Sequence, residues 1–486
     1  MTDMAADTVT SVPSDEDTRY EAVSSRDARF DGVFFFAVAT TGIYCRPSCP
    51  AVTPKRRNVR FFPTAAAAQG HGFRACRRCR PDAVPGSAEW NVRADVVARA
   101  MRMIGDGVVD REGVPGLAVR LGYSARQVQR QLTAELGAGP VALARAQRAH
   151  TARLLLQTTG LPVTEIAFAA GFASVRQFND TMRAVYARTP TELRTESGTG
   201  TGPRTALAAG IPLRLAHRGP YAAGEVFDLL AAEAVPGIEE VVGVPGARTY
   251  RRTLRLPYGI GIVSVDERSR GRWLEARIHL TDLRDLSTAV QRLRRLLDLD
   301  ADPYAVAERL GADPVLAAEV AERPGVRSPG AAEPEEFAVR AVVGPEEAAR
   351  LVERYGTPLE TPCGTLNRVF PEPGTLTGHP VAGPLAAALA DGTVRLDPGA
   401  DRDASAAALA AVPGVSPQAA AVIRARALGD PDVAPEGLPD RPEWRPWRSY
   451  AARYLRVSQA PPPDPRRCPA PATPGTHARR TARKAG

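Results

Sequence analysis

Cys45 and Cys49, in YCRPSCP (44–50), have three residues between them; Cys76 and Cys79, in ACRRCRPD, follow 26 residues later with two between them. These are four of only six cysteines in 486 residues. Two thiolate pairs on short loops can close a tetrahedral site, and zinc is the usual occupant of four sulfurs in a reducing compartment. A closed four-cysteine site is most often structural. Chemistry is also available to it. Four thiolates on one dication leave a surplus negative charge, and a metal-held thiol is already deprotonated at neutral pH, so a sulfur there can act as a nucleophile. Nine basic residues between Arg46 and Arg80, among them Lys55, Arg56, Arg57, Arg60, Arg74 and Arg78, would hold a phosphate backbone close by. An electrophile attached to DNA is the substrate this chemistry suits.

The elements that must position these loops sit in a multidomain α+β chain of 51.7 kDa with 44% hydrophobic residues, ample for several packed cores. Charge is uneven. Residues 1–24 hold one Arg against six acids, residues 25–195 hold 25 Lys or Arg against 12 acids, and residues 458–486 hold six basic groups against one acid. A basic block ahead of a mildly acidic one points to a polyanion as partner of the first half. The N-terminus is acidic and lacks an apolar segment, and nowhere do 18 uncharged apolar residues run together, so the expectation is a cytoplasmic protein with no membrane partner.

Punctuation divides the chain into an acidic, disordered tail (1–24), a small zinc-bound α/β module (25–85), an all-α module (90–195), a Gly/Thr linker (196–206), an α+β domain (207–320), a helical domain (321–457) and a basic, Pro-rich disordered tail (458–486). The all-α module contains two similar units. In GVPGLAVRLGYSARQVQRQLTAELG (113–137) a short apolar helix leads to Gly122, Tyr123 and a capping Ser124. In LPVTEIAFAAGFASVRQFNDTMRAVYARTP (161–190) the plan repeats with Gly171, Phe172 and Ser174. Two helix-turn-helix units are expected. Ser124, Arg126, Gln127 and Arg130 in one, and Ser174, Arg176, Gln177 and Asn179 in the other, can face outward near helix N-termini and read base edges, whereas Phe178 and Met182, at i and i+4, belong to the core. From residue 212, RTYRRTLRLPYGIGIVSVDE and RWLEARIHLTD alternate like strands, and DLSTAVQRLRRLLDL reads as an amphipathic helix.

The run from Phe34 to Asp82 resembles the zinc-binding N-terminal domain of the Ada family over its whole length, all four cysteines included. The resemblance implies that Cys45, Cys49, Cys76 and Cys79 hold Zn2+. It also implies that Cys45 irreversibly accepts a methyl group from a methylphosphotriester in alkylated DNA, after which the protein binds promoter DNA more tightly. Residues 165–194 resemble the AraC-type DNA-binding domain, which implies a transcription activator acting on double-stranded DNA with RNA polymerase as partner. Residues 207–457 resemble AlkA-type 3-methyladenine DNA glycosylases, with an N-terminal α+β domain and a helix-hairpin-helix domain whose hairpin is Val412-Pro413-Gly414-Val415. Gly414 would let backbone N–H groups approach a DNA phosphate.

The AlkA-like part departs from its pattern. Base excision needs a carboxylate beside the flipped nucleotide and an aromatic wall behind the cationic base. Between ALGDPDV and RPWRSYA only APEGLPDRPE (434–443) remains, so a helix is missing and the expected aspartate falls on Gly437; Asp440 is the nearest alternative. Ser416 and Gln418 replace the hairpin's usual Gly and aromatic residue, and the Pro-Cys-His-Arg motif of a second Ada methyltransferase domain is absent. Two readings therefore stand: a methyl-accepting repair protein and regulator with an AlkA-like glycosylase that is active or impaired, or a DNA-binding regulator with purely structural zinc and an inert C-terminal half.

Overall fold

The computed structural model describes residues 16–24, 26, 30, 34–49, 51–76, 78, 79, 81, 95–195, 210–269, 273–433 and 441–458. The expected linker (196–206), the basic tail beyond Ser458, Arg77, Arg80 and the carboxylate candidate Asp440 lie outside the described residues.

The chain enters through helix α1 (Glu16–Ser24), where a disordered tail was expected. The difference has a physical reason: the segment carries apolar surface worth burying. Ala22 and Val23 are buried with the cysteines, and the Tyr20 hydroxyl donates to the Pro54 carbonyl at 2.7 Å. Strands β1 (Phe35–Val38), β2 (Ile43–Cys45), β3 (Val59–Phe62) and β4 (Arg74–Ala75) form a sheet of order β3-β1-β2-β4, in which β2 and β4 run parallel. Side chains alternate across a strand, and here the alternation sorts two cores. Phe34, Phe36, Cys45 and Val59 share one with Cys49, Cys76 and Cys79. Phe35, Ala37, Tyr44 and Phe62 face the other, with helix α2 (Ala65–Gly70).

The all-α module runs α3 (Asp95–Gly105), α4 (Val108–Leu121), α5 (Ala125–Leu136), α6 (Pro140–Thr158), α7 (Val163–Ala169), α8 (Val175–Tyr186) and α9 (Pro190–Thr195). Gly113, at φ 70°, breaks α4 into two pieces, so the apolar helix expected there begins beyond it. Gly122 at φ 76° and Gly171 at φ 84° make the two turns, a backbone region that glycine reaches without steric cost. Leu117, Leu121, Val128 and Leu132 close the first unit, and Ile166, Phe172, Phe178 and Met182 close the second against Leu155 and Leu156 of α6.

Next, β5 (Ile211–Ala216), helix α10 (Ala223–Glu233), β6 (Glu239–Val242), β7 (Thr249–Arg255), β8 (Ile260–Ser269) and β9 (Trp273–Leu280) build an antiparallel sheet of order β5-β9-β8-β7-β6. Along β5, Ile211, Leu213 and Leu215 are buried while Pro212 and Arg214 are exposed, and along β9, read from sequence as alternating, Leu274, Ala276 and Ile278 are buried. The amphipathic helix follows as α11 (Leu286–Leu296), then α12 (Pro303–Gly311) and α13 (Ala317–Glu322). The rest is mainly helical: α14 (Pro334–Val343), α15 (Pro345–Tyr355), α16 (Gly383–Ala390), α17 (Arg402–Ala411), α18 (Pro417–Arg426) and α19 (Arg448–Ser458). It is not wholly so. Strands β10 (Thr357–Cys363) and β11 (Leu366–Val369) form a hairpin where helix was expected, because Gly364 at φ 61° turns the chain and Leu366 and Val369 supply buried residues. The boundary expected at residue 320 falls inside one core, where Val306, Leu310, Leu316 and Val320 pack on Trp444, Trp447, Tyr450 and Tyr454.

Candidate functional site

The four cysteines converge. Cys45 ends β2, Cys49 sits on the loop after it, and Cys76 and Cys79 follow β4, whose parallel pairing with β2 brings the second pair beside the first. All four side chains are buried, and their Sγ atoms lie within 4.8 Å of one another, with Cys49 Sγ and Cys76 Sγ 3.9 Å apart. A tetrahedral zinc with Zn–S of about 2.3 Å puts its sulfurs about 3.8 Å apart, so the cluster matches that ion in donor type, number and spacing. The thiols alone are a poor electrostatic unit. Hydrogen bonds to Cys49, Cys76 and Cys79, together with burial, push the Cys45 thiol far up, while its bond to Cys45 pulls Cys49 down to about 7. Competition for charge among packed sulfurs is what a bound dication relieves.

Lys55, Arg57, Arg60, Arg74 and Arg78 are exposed on the same small module. Arg56 is not simply available. Its guanidinium lies 2.7 Å from Glu16 and 3.3 Å from Asp17, and it stacks over Tyr20 and Phe61. The sequence reading missed this pairing, and EDTRYEAV carries no distinct apolar face that could have signalled it.

On the two helix-turn-helix units the candidate base-reading residues divide into two jobs. Ser124 caps α5 in a capping box: its hydroxyl accepts from Gln127 N at 3.3 Å and the Gln127 side chain accepts from Ser124 N at 3.0 Å. Ser174 caps α8 the same way, accepting from Gln177 N at 3.2 Å, while Gln177 accepts from Ala173 N. Arg126 and Arg130 on α5 and Arg176 on α8 are exposed, and Asn179 is half-buried. Arg176 is 92% exposed with only a 3.9 Å contact to Asp180, so its guanidinium can swing outward. Phe178 and Met182 are fully buried, as their spacing predicted.

In the C-terminal part, α17 and α18 are joined by residues 412–416. Gly414 is exposed at φ 85° with open space beside it, and Ser416 caps α18 by accepting from Ala419 N at 3.1 Å. The aromatic residues that follow residues 434–443 are in a core: Trp444, Trp447, Tyr450 and Tyr454 are buried among α12 and α13, with Trp444 Nε1 donating to Asp313 at 2.8 Å. A cavity nearby is lined by Glu233, Glu239, Glu333 and Glu336 and by Arg252, Arg340 and Arg426, which pair with one another. Asp432, shortly before residues 434–443, is held by Arg448 at 2.7 Å.

A zinc-thiolate module, a double helix-turn-helix module and an antiparallel α+β domain with a helical partner define a DNA-binding protein that combines regulation with alkylation repair. Residues 18–82 match the metal-binding domain of Ada, residues 117–196 a helix-turn-helix domain, and residues 212–333 the AlkA N-terminal domain. A probable bifunctional transcriptional activator/DNA repair enzyme AlkA of Mycobacterium tuberculosis is 52% identical over 476 residues, covering 90% of this chain and 95% of that one. The bifunctional transcriptional activator/DNA repair enzyme Ada of Escherichia coli is 37% identical over 157 residues, 32% of this chain and 43% of its own. The solved DNA methyl phosphotriester repair domain of E. coli Ada is 47% identical, covering 16% of this chain and 82% of that one, with a TM-score of 0.14. The chain belongs to the family of bifunctional transcriptional activator/DNA repair enzymes of the Ada and AlkA type. Among the described residues no helix is long and apolar enough to cross a membrane.

Proposed function

We propose that the protein senses DNA alkylation by taking a methyl group from a DNA methylphosphotriester onto Cys45 and then activates transcription through its two helix-turn-helix units, with RNA polymerase as partner. The observation that carries this reading is the buried, mutually contacting quartet Cys45, Cys49, Cys76 and Cys79 within an Ada-type metal-binding match. Zinc, when bound, keeps the four sulfurs deprotonated. A lone pair on Cys45 Sγ attacks the methyl carbon, the S–C bond forms as the C–O bond to phosphorus breaks, and the electron pair leaves with the phosphate oxygen. The products are a thioether and an ordinary charged phosphodiester, with no proton moved and no water needed. Exposed Lys55, Arg57, Arg60, Arg74 and Arg78 hold the backbone. Losing one negative charge at the cluster removes repulsion toward neighbouring phosphates and so tightens DNA binding.

Arg126, Arg130, Arg176 and Asn179 meet DNA directly, while Ser124, Gln127, Ser174 and Gln177 set the helix starts that present them. The α17–turn–α18 pair acts as a helix-hairpin-helix, gripping a phosphate beside Gly414. Excision of 3-methyladenine by the AlkA-like half is impaired: beside residues 434–443, Trp444, Trp447, Tyr450 and Tyr454 lie in a core, and Asp430 and Asp432 are held by Arg424 and Arg448. The deciding experiment is intact mass and peptide mapping after incubation with methylated duplex. One added methyl on the Cys45 peptide, lost in Cys45→Ser, is expected; no label on any cysteine leaves zinc a structural role and makes the chain a plain regulator.

A further inference from the structure

The DNA-reading module and the AlkA-like half meet across a seam that adds polar contacts to the hydrophobic core they share. Helix α3 lies between them. Arg99 Nε donates to the Gly399 carbonyl at 2.5 Å, and its Nη1 lies 3.5 Å from Asp401, the residue that caps α17. Arg102 Nε donates to the Pro398 carbonyl at 2.7 Å, and Arg395 Nη1 returns a bond to the Arg120 carbonyl at 3.2 Å. On the other flank the Thr288 hydroxyl of α11 donates to the Asp106 carbonyl at 3.0 Å, and Thr151 bonds Ser287 at 3.0 Å. Arg99, Thr151 and Thr288 are buried with their partners across the seam, which offsets the cost of taking them out of water.

Two glycines give the seam its complementarity. Gly399 has no left-handed backbone to explain it, yet a Cβ there would lie 1.7 Å from Cε and 2.5 Å from Sδ of Met103. Gly105 is likewise ordinary in backbone and faces Gln291, 3.3 Å from where its Cβ would be. Gly399 lies in the Asp397–Ala400 turn, but its backbone there does not demand glycine, so the opposing surface is what accounts for the missing side chain. Met103 is also fully buried in the first unit's core with Leu117 and Leu132, so one side chain packs both inside the DNA-reading module and against the loop that starts α17.

We infer that the AlkA-like half is a docking partner for the DNA-reading module, latched through Met103 on Gly399 and Arg99 and Arg102 on the Pro398–Asp401 loop, and that this latch sets the affinity of the first helix-turn-helix unit for its operator. The second clause rests on the DNA-reading assignment above; the first does not. Coupling of this kind is reciprocal, so DNA held by the hairpin that α17 enters is felt at α3.

The test places a protease site between residues 197 and 206 of the full chain. After cleavage the two wild-type fragments should elute as one species at micromolar concentration; separate elution overturns the docking. Gly399→Leu should weaken fragment association at least about tenfold, and Met103→Ala added to it should restore most of that loss, because the pair shares one space. Gly374→Leu, in an exposed position with open space, is the control and should change nothing. Should Gly399→Leu fail to fold, Arg102→Ala is read by hydrogen exchange: amides of 397–401 should exchange at least about threefold faster, and unchanged exchange overturns the latch. In uncleaved protein Gly399→Leu should weaken promoter binding about three- to tenfold. Unchanged promoter affinity with weakened fragment association refutes the coupling alone, and loss of operator binding by wild type itself refutes the DNA-reading assignment instead.

Discussion

Removing the metal should melt one face of the first module and spare the other. The sheet β3-β1-β2-β4 sends Phe34, Phe36, Cys45 and Val59 to the thiolate side, where α1 adds Ala22 and Val23, and sends Phe35, Ala37, Tyr44 and Phe62 to the side continuous with α6 and α8. The thiolate side has little else to hold it. Apart from the cysteines, its buried apolar side chains are Ala22, Val23, Phe34, Phe36 and Val59, with Tyr20, Phe30, Val38, Ile43 and Phe61 only partly buried around them. A structural zinc supplies about 10–16 kcal/mol in small modules, a quarter of which, about 2.5–4 kcal/mol, is the share at stake when one of four ligands goes. Hydrogen exchange with and without chelator, and in Cys76→Ser, is the assay. Amides of 16–24, 45–58 and 76–79 should lose protection, while those of β1 and β3 and the Thr64 side chain's bond to the Leu136 carbonyl, 3.0 Å long in the structure, keep the far face anchored to α5. Uniform loss across the module and α6 together, or no loss anywhere, refutes the two-face argument.

Two further outcomes follow from the C-terminal half. Arg252 is almost wholly buried and meets Glu336 at 2.7 Å, Glu239 at 3.1 Å and Glu333 at 3.7 Å, so Arg252→Leu leaves these three carboxylates to Arg340 and Arg292 alone, one negative charge in excess, and should destabilise that half by about 3–5 kcal/mol in urea melts; a change under about 1 kcal/mol refutes the pairing's importance. Release of 3-methyladenine from alkylated duplex should run about 100- to 1000-fold below that of an intact glycosylase, since a carboxylate held at the sugar cation is missing or misplaced; robust release that vanishes in Asp440→Asn refutes impairment and identifies Asp440 as the catalytic residue.

What could be read from sequence is what is local or periodic. Four cysteines at short spacings declare a metal site because ligand chemistry is carried by residue type, and Ser124 and Ser174 declare helix starts because a cap is satisfied within three residues. Phe178 and Met182 declare a core because i, i+4 spacing puts them on one face. The misses are long-range. Nothing near Arg56 says that Glu16 and Asp17 will reach it across about forty positions, and nothing near Trp444 says that it will be buried on α12 and α13 and bond Asp313 instead of walling a base pocket. Gly399 is the sharpest case. A glycine after a proline in LDPGAD reads as a turn, and only the fold shows that Met103, nearly three hundred positions earlier, is what excludes a side chain there. The same distinction separates the two functional halves: methyl acceptance needs sulfurs that one short segment supplies, whereas base excision needs a carboxylate, an aromatic wall and a bound duplex assembled from distant segments. Loss of one helix therefore threatens the second activity and leaves the first intact.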